Sequence, residues 1–293
     1  MSVSRRHFLA AAGLTATAGA VPADTTRELP RQKFTLGLVT YNVARSWDLK
    51  TILEVCQKVG LAGVEFRTTH RHGVEPTLSK DQRKQIARMY KDGGVKIWGC
   101  GTACEFHSPQ QDRVRENIET CKKFVDLVAD LGGTGVKVRP NGLPQGVAVE
   151  KTVEQIGRAL AECGKAAATA GVEIQLEVHG PGTSQPANIA AIMRACQHPS
   201  VGVTWNSNAT DIKNGSVKEA FNLLWPWIKN CHINSLYNDA LGKYPYRELF
   251  RLLREKGYER MTMIEVGQDF VEKGAGLEFL QHYKALWTEL CRG

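Results

Sequence analysis

The chain has 293 residues, 42% of them hydrophobic and 23% charged, which is globular material with enough apolar content for a sizeable core. Its formal net charge is +8, yet no Lys/Arg-rich block with interleaved aromatics occurs, so the surplus reads as a solvated surface and nucleic-acid binding is not expected. The eight cysteines (56, 100, 104, 121, 163, 196, 231 and 291) form no C-x-x-C pair and fall mostly on apolar faces. That argues against a disulfide framework or a zinc cluster and for free buried thiols, with only Cys100 and Cys104 close enough in sequence to leave a bridge open.

The N-terminus, "MSVSRRHFLAAAGLTATAGAVPADTT", sets Arg5-Arg6 and Phe8-Leu9 before a weakly apolar Ala/Gly-rich run. Ala18-Gly19-Ala20 and Val21-Pro22-Ala23 each offer a small-residue cleavage site. The stretch resembles a twin-arginine export signal, so residues 1–23 are expected to be removed and the mature protein to be periplasmic or otherwise exported. The apolar run is too short for stable membrane insertion.

From residue 33 the pattern alternates strand and helix. Strands are predicted at 35–42, 61–67, 95–100, 134–140, 172–179, 201–206, 228–234 and 260–267, each short, apolar and rich in Val and Ile. The first helix carries Leu49, Ile52, Leu53, Cys56 and Val59 on one stripe and stops at Gly60. The second opens with Ser79 and Gln82 at capping-box spacing and ends on Gly93-Gly94. The third carries Val114, Ile118, Cys121, Val125 and Val128, and further helices are expected near 150–170, 185–197, 217–227, 245–256 and 276–290. Eight such units in series over 33–291, with no break in composition, predict a single-domain (β/α)8 TIM barrel. The alternative, a doubly wound sheet, lacks its glycine-rich turn, since "TYNVARSWD" holds no glycine. No Walker-type loop occurs either.

Barrel active sites form at the C-terminal strand ends, so the polar residues there are the candidates. They are Glu65 and Arg67 with His70 and His72 just beyond, Lys137 and Arg139, Glu177 and His179, Asn206 and Asn208, His232 and Asn234, and Glu265. Most of these pairs are spaced by two, so their members are expected to share a strand face. Charged groups in a barrel mouth need partners. Glu177, Asn206, His232 and Glu265 on four consecutive strands are most simply explained by one divalent cation. Tyr41 and Trp98 either stack on a ligand or pack in the core.

In the order "LEVHG … VTWNSN … CHIN … MIEVG", the chain resembles the xylose-isomerase-like barrels, a group of sugar isomerases, sugar epimerases and endonucleases. The resemblance implies a Mn, Mg or Co ion held by Glu177, His232 and Glu265, with Asn206 standing where the family usually has Asp. Asn206 removes a negative charge and leaves open whether Asn208, or no sixth-strand residue, is the ligand instead. The nuclease branch would need Asp-x-x-His on the sixth strand, where this chain reads Asn206-Ser207-Asn208-Ala209. What remains implied is a metal-dependent sugar isomerase or epimerase. Glu177 and Glu265 would move a proton next to a carbonyl through an enediolate. Glu65, His70, Lys137, Arg139 and His179 would hold the sugar or keto-sugar. The same first step would serve a 3-keto-glycoside lyase or hydratase, and a non-catalytic carbohydrate-binding barrel is the alternative from another class. A homo-oligomer is left open.

Overall fold

The computed structural model describes residues 31–292; residues 1–23, expected to be an export signal, lie outside the described residues. Eight strands close in sequence order into one parallel barrel: β1 (Thr35–Val39), β2 (Gly63–Arg67), β3 (Lys96–Glu105), β4 (Gly135–Arg139), β5 (Glu173–Glu177), β6 (Val201–Asn206), β7 (Ile228–Ile233) and β8 (Met261–Ile264). The helices are α1 (Leu49–Val59), α2 (Lys80–Asp92), α3 (Gln111–Asp130), α4 (Val149–Ala170), α5 (Pro186–Cys196), α6 (Lys218–Leu224), α7 (Tyr237–Ala240), α8 (Tyr246–Glu255) and α9 (Lys273–Arg292). The expected (β/α)8 architecture is therefore present. None of the described helices is long and apolar enough to cross a membrane.

Local signals set the element ends. Asp48 accepts from the Thr51 amide to cap α1, and Gly60 ends it in the left-handed region. Ser79 and Gln82 make both bonds of the capping box on α2. The helix expected over 217–227 stops at Leu224, with Trp225–Trp227 as a separate helical turn, because Pro226 cannot donate into a continuing helix.

Three strand boundaries differ from expectation and bear on the site. Strand β3 runs on to Glu105, bulging between Gly101 and Glu105 against β4. Strand β5 ends at Glu177, so His179 lies in the loop. Strand β8 ends at Ile264, with Glu265 one residue beyond and its amide bonded to Ile233 O.

The main core lies between strands and helices, where Ile52, Phe66, Leu127, Ile156, Trp205, Phe221 and Phe250 are fully enclosed. The barrel floor is a separate cluster of Val39, Trp98, Met261 and Met263. Arg260 and Lys96 lie over Trp98 at 5.1 and 5.2 Å, and Arg260 and Lys229 pair with Glu173 at the start of β5. Trp98 is thus a floor residue and cannot stack on a ligand at the mouth, whereas Tyr41 is exposed on the rim. All eight cysteines are buried and free, so Cys100 and Cys104 are not bridged.

Candidate metal centre

Strand ends β5 and β7 and the residue after β8 bring Glu177, His232 and Glu265 together. Each offers one ligand atom, and these atoms all lie within 4.8 Å of one another. His232 Nδ1 stands 3.2 Å from Glu265 Oε2 and 3.9 Å from Glu177 Oε1. Both carboxylates therefore fall within reach of one shared cation.

The imidazole is held from below. Glu65 on β2 is 1% exposed, and its Oε2 lies 3.1 Å from His232 Nε2 and 3.2 Å from Asn230 Nδ2. A carboxylate only accepts, so Nε2 carries a proton, and Nδ1 is the nitrogen turned to the mouth, where a cation would displace its proton. Nδ1 is buried and oriented so that it makes no hydrogen bond, as is Glu65 Oε1. Room for Glu65 comes from Gly101, where a Cβ would stand 2.8 Å from Oε1. The expectation that Glu65 meets the ligand is corrected: it is sealed beneath His232.

Lys137 on β4 is likewise buried, with Nζ 2.6 Å from Glu177 Oε2. The Asn206 amide donates to Glu177 Oε1 at 3.0 Å. Both oxygens of Glu177 are therefore engaged, and Lys137 meets a carboxylate, not an open cavity. Asn208 is spent elsewhere: its side chain donates to Val178 O at 2.6 Å and its amide bonds Asp211 Oδ2. Of the two sixth-strand amides, only Asn206 stands beside the cluster.

The electrostatics suit a cation. Three carboxylates, of Glu65, Glu177 and Glu265, face one lysine and one imidazole, which leaves two negative charges unbalanced when the imidazole is neutral. Burial opposes charging of His232, but Glu265 and Glu65 outweigh it and hold the imidazole pKa well above its usual range. Burial also disfavours the Glu177 carboxylate, yet Lys137, His232 and His179 together hold it down at about 2. Two carboxylates and an imidazole nitrogen form a donor set that Mg, Mn or Co accepts, so the residues fit the expected ion.

The rim carries two further clusters. Arg139 pairs with Glu105, Asn141 Nδ2 donates to the same Glu105 oxygen at 2.7 Å, and Asn141 Oδ1 lies 2.9 Å from His179 Nδ1. Because the Asn141 amide is spent on Glu105, its oxygen accepts from His179, and His179 Nε2 is left as the acceptor. Glu177 and His179 therefore do not point to one place: His179 turns toward the β4 loop. At the β1/β2 edge, Thr40 Oγ1 lies 3.4 Å from His70 Nδ1 and 3.3 Å from His72 Nε2. Burial pushes both imidazoles down to about 4, which keeps them neutral. Sequence reasoning missed Glu105, Asn141 and Asn230. The two-residue spacing from His232 would have found Asn230.

The sequence matches the family model described as xylose isomerase-like TIM barrel over residues 53–283. No curated protein matches it. Among solved structures it is similar to a D-psicose 3-epimerase determined with D-fructose, at 15% identity and TM-score 0.73, covering 89% of this chain and 100% of that one. The 3-keto-D-glucoside 4-epimerase YcjR from E. coli gives 14% identity and TM-score 0.70, covering 88% and 99%. The IOLI protein with a binding zinc atom gives 20% identity and TM-score 0.73, covering 88% and 98%. At these identities the structural likeness speaks for the fold alone, and it agrees with the family match across the barrel. The chain belongs to the xylose isomerase-like TIM-barrel family.

Proposed function

We propose that the protein is a divalent-metal-dependent sugar isomerase or epimerase, acting on a carbon next to a carbonyl. One observation carries the reading: Glu177, His232 and Glu265 present three ligand atoms within 4.8 Å, with His232 Nδ1 buried among them and without a hydrogen-bond partner. Family membership supports it, and the sugar epimerases of like fold are consistent with it.

Asn206, whose amide donates to Glu177 Oε1, would turn its oxygen to the ion to serve as a fourth, neutral ligand, and Mn, Mg or Co is the expected ion. When bound, that ion polarises the substrate carbonyl and stabilises the charge of the enediolate. Glu265 takes the proton from the carbon: it is the more exposed carboxylate of the trio, with its side chain 15% accessible against 3% for Glu177. Return of a proton on the second face, or on the next carbon, falls to the Glu177–Lys137 pair, in which Nζ and Oε2 are 2.6 Å apart. Glu65 keeps His232 in the tautomer that ligates. His70, Arg139 and His179 are the groups proposed to hold sugar hydroxyls. The N-terminal segment is read as an export signal, which would place this chemistry in the periplasm.

The test is proton exchange. Metal-loaded protein is incubated in D₂O with a panel of ketohexoses and 3-keto-glycosides and followed by NMR. Deuterium is expected at a carbon adjacent to the carbonyl, and it is lost on chelation or in Glu265→Gln. Loss of the neighbouring substituent would mark a lyase. Sugar binding without exchange in any case would reduce the protein to a carbohydrate-binding barrel.

A further inference from the structure

On the same face of the barrel as the metal centre lies a cavity of about 540 Å³. Its volume falls in the roughly 300–1,000 Å³ range of small-molecule sites. None of Glu177, His232 and Glu265 lines it. Its walls come from the end of β3, the start of α3 and the loops after β4 and β5. Glu105, His107, Asn117 and Asn141 supply polar groups, while Leu143 and Pro181 supply apolar surface. Such a mixture suits a sugar ring, which has hydroxyl edges and C–H faces. His107 also carries a buried Nδ1 with no hydrogen-bond partner, 4.0 Å from Glu105 Oε2.

The cavity and the metal centre share an edge. Asn141 lines the cavity and binds His179, two residues beyond the ligand Glu177. Asn141 itself sits at φ 60°, an uncommon conformation for a residue with a side chain. Gly180, at φ 90°, is pressed against it: a Cβ there would stand 2.7 Å from Asn141 backbone atoms. The two loops therefore interlock where the cavity meets the metal centre.

We propose that this cavity binds the second ring of a two-ring sugar substrate whose first ring reacts at Glu177, His232 and Glu265. The proposal deepens the metal-dependent reading and rests on it for the first ring. The substrate class becomes a glycoside of a keto-sugar in place of a free monosaccharide. The chain Arg139–Glu105–Asn141–His179 sits at the junction of the two rings, with Asn141 and Glu105 facing the second.

The test fills the cavity in the metal-loaded protein. Gln110 lines it, is exposed and makes no capping hydrogen bond through its side chain, so Gln110→Trp fills space without removing a contact. The one-ring probes are methyl glucoside and its 3-keto form; the two-ring probes are maltose, cellobiose and their 3-keto forms. Gln110→Trp is expected to lower kcat/KM for proton exchange with the two-ring keto-sugars by about tenfold or more, and to leave the one-ring value unchanged. Equal effects on both, or none, would overturn the proposal. If no sugar exchanges at all, the metal-dependent reading fails by itself, and calorimetric binding then decides the cavity. Two-ring probes should bind at least about tenfold more tightly than one-ring probes, with the advantage lost in Gln110→Trp; equal affinities overturn the assignment. Arg113→Ala, at another exposed lining position, serves should the tryptophan variant fail to fold, with the same selective loss expected and its absence counting against the proposal.

Discussion

Replacing Glu65 by Gln tests the link between the barrel interior and metal affinity. The change is isosteric, and the space beside Gly101 accommodates either side chain. In the wild type, Glu65 Oε2 receives His232 Nε2 at 3.1 Å and Asn230 Nδ2 at 3.2 Å, which holds a proton on Nε2 and leaves Nδ1 as the nitrogen that can ligate. A glutamine amide can instead donate to His232 Nε2. The imidazole proton then moves to Nδ1, facing Glu265 at 3.2 Å, and that nitrogen no longer ligates. Loss of such an outer partner typically costs about 10–100-fold in metal affinity, or roughly 1.4–2.8 kcal/mol. Competition with a chromogenic chelator for Co²⁺ or Mn²⁺ at fixed pH measures the change directly. Glu65→Gln binding the ion within about threefold of wild type, with an unchanged melting temperature, would refute this reasoning.

Further outcomes follow from other buried groups. Lys137→Met leaves Glu177 as an unpaired buried carboxylate and should cost about 3–5 kcal/mol in metal-free protein by denaturant titration, with part of the loss restored by saturating divalent metal. Burial raises Asp211 from 3.8 to about 7, although the Asn208 amide and Tyr244 hydroxyl donate to it. Its folded form thus binds the proton more tightly than its unfolded form. The stability this group contributes is present below about pH 4 and lost as pH rises through 7. Asp211→Asn should accordingly flatten a decline of a few kcal/mol in unfolding free energy across that window; an unchanged slope would count against the shift. All eight thiols are buried and free, so native protein should react slowly with an alkylating reagent. Denatured, unreduced protein should take up eight equivalents, and a mass showing fewer would reveal a bridge.

The barrel was legible because each strand is a short apolar run and each helix a clean stripe with its own stop, as at Gly60 and the Ser79–Gln82 box. The cluster of Glu177, His232 and Glu265 was legible because charge at a strand end is costly unless used. Directions were harder to read. Glu65 and His70 belong to one strand-and-loop segment, yet one is sealed under His232 and the other half-buried on the rim. Two-residue spacing placed Glu177 and His179 together only on the assumption that β5 continues, whereas Gly180 turns the chain and Asn141 captures the imidazole. Glu105 escaped because "CGTACE" is made of small residues and reads as loop; the bulge that carries β3 through it depends on pairing with β4. The Lys137–Glu177 pair joins two strands and leaves no trace in either alone.

The central claim is that Glu177, His232 and Glu265 hold one divalent cation. Elemental analysis of protein purified without chelator, alongside Glu177→Ala, His232→Ala and Glu265→Ala, tests it most directly. Close to one Mn, Mg or Co per wild-type chain is expected, with a large loss in every variant that still folds. Wild-type protein that neither retains nor takes up a divalent ion, or folded variants that bind it undiminished, would contradict it.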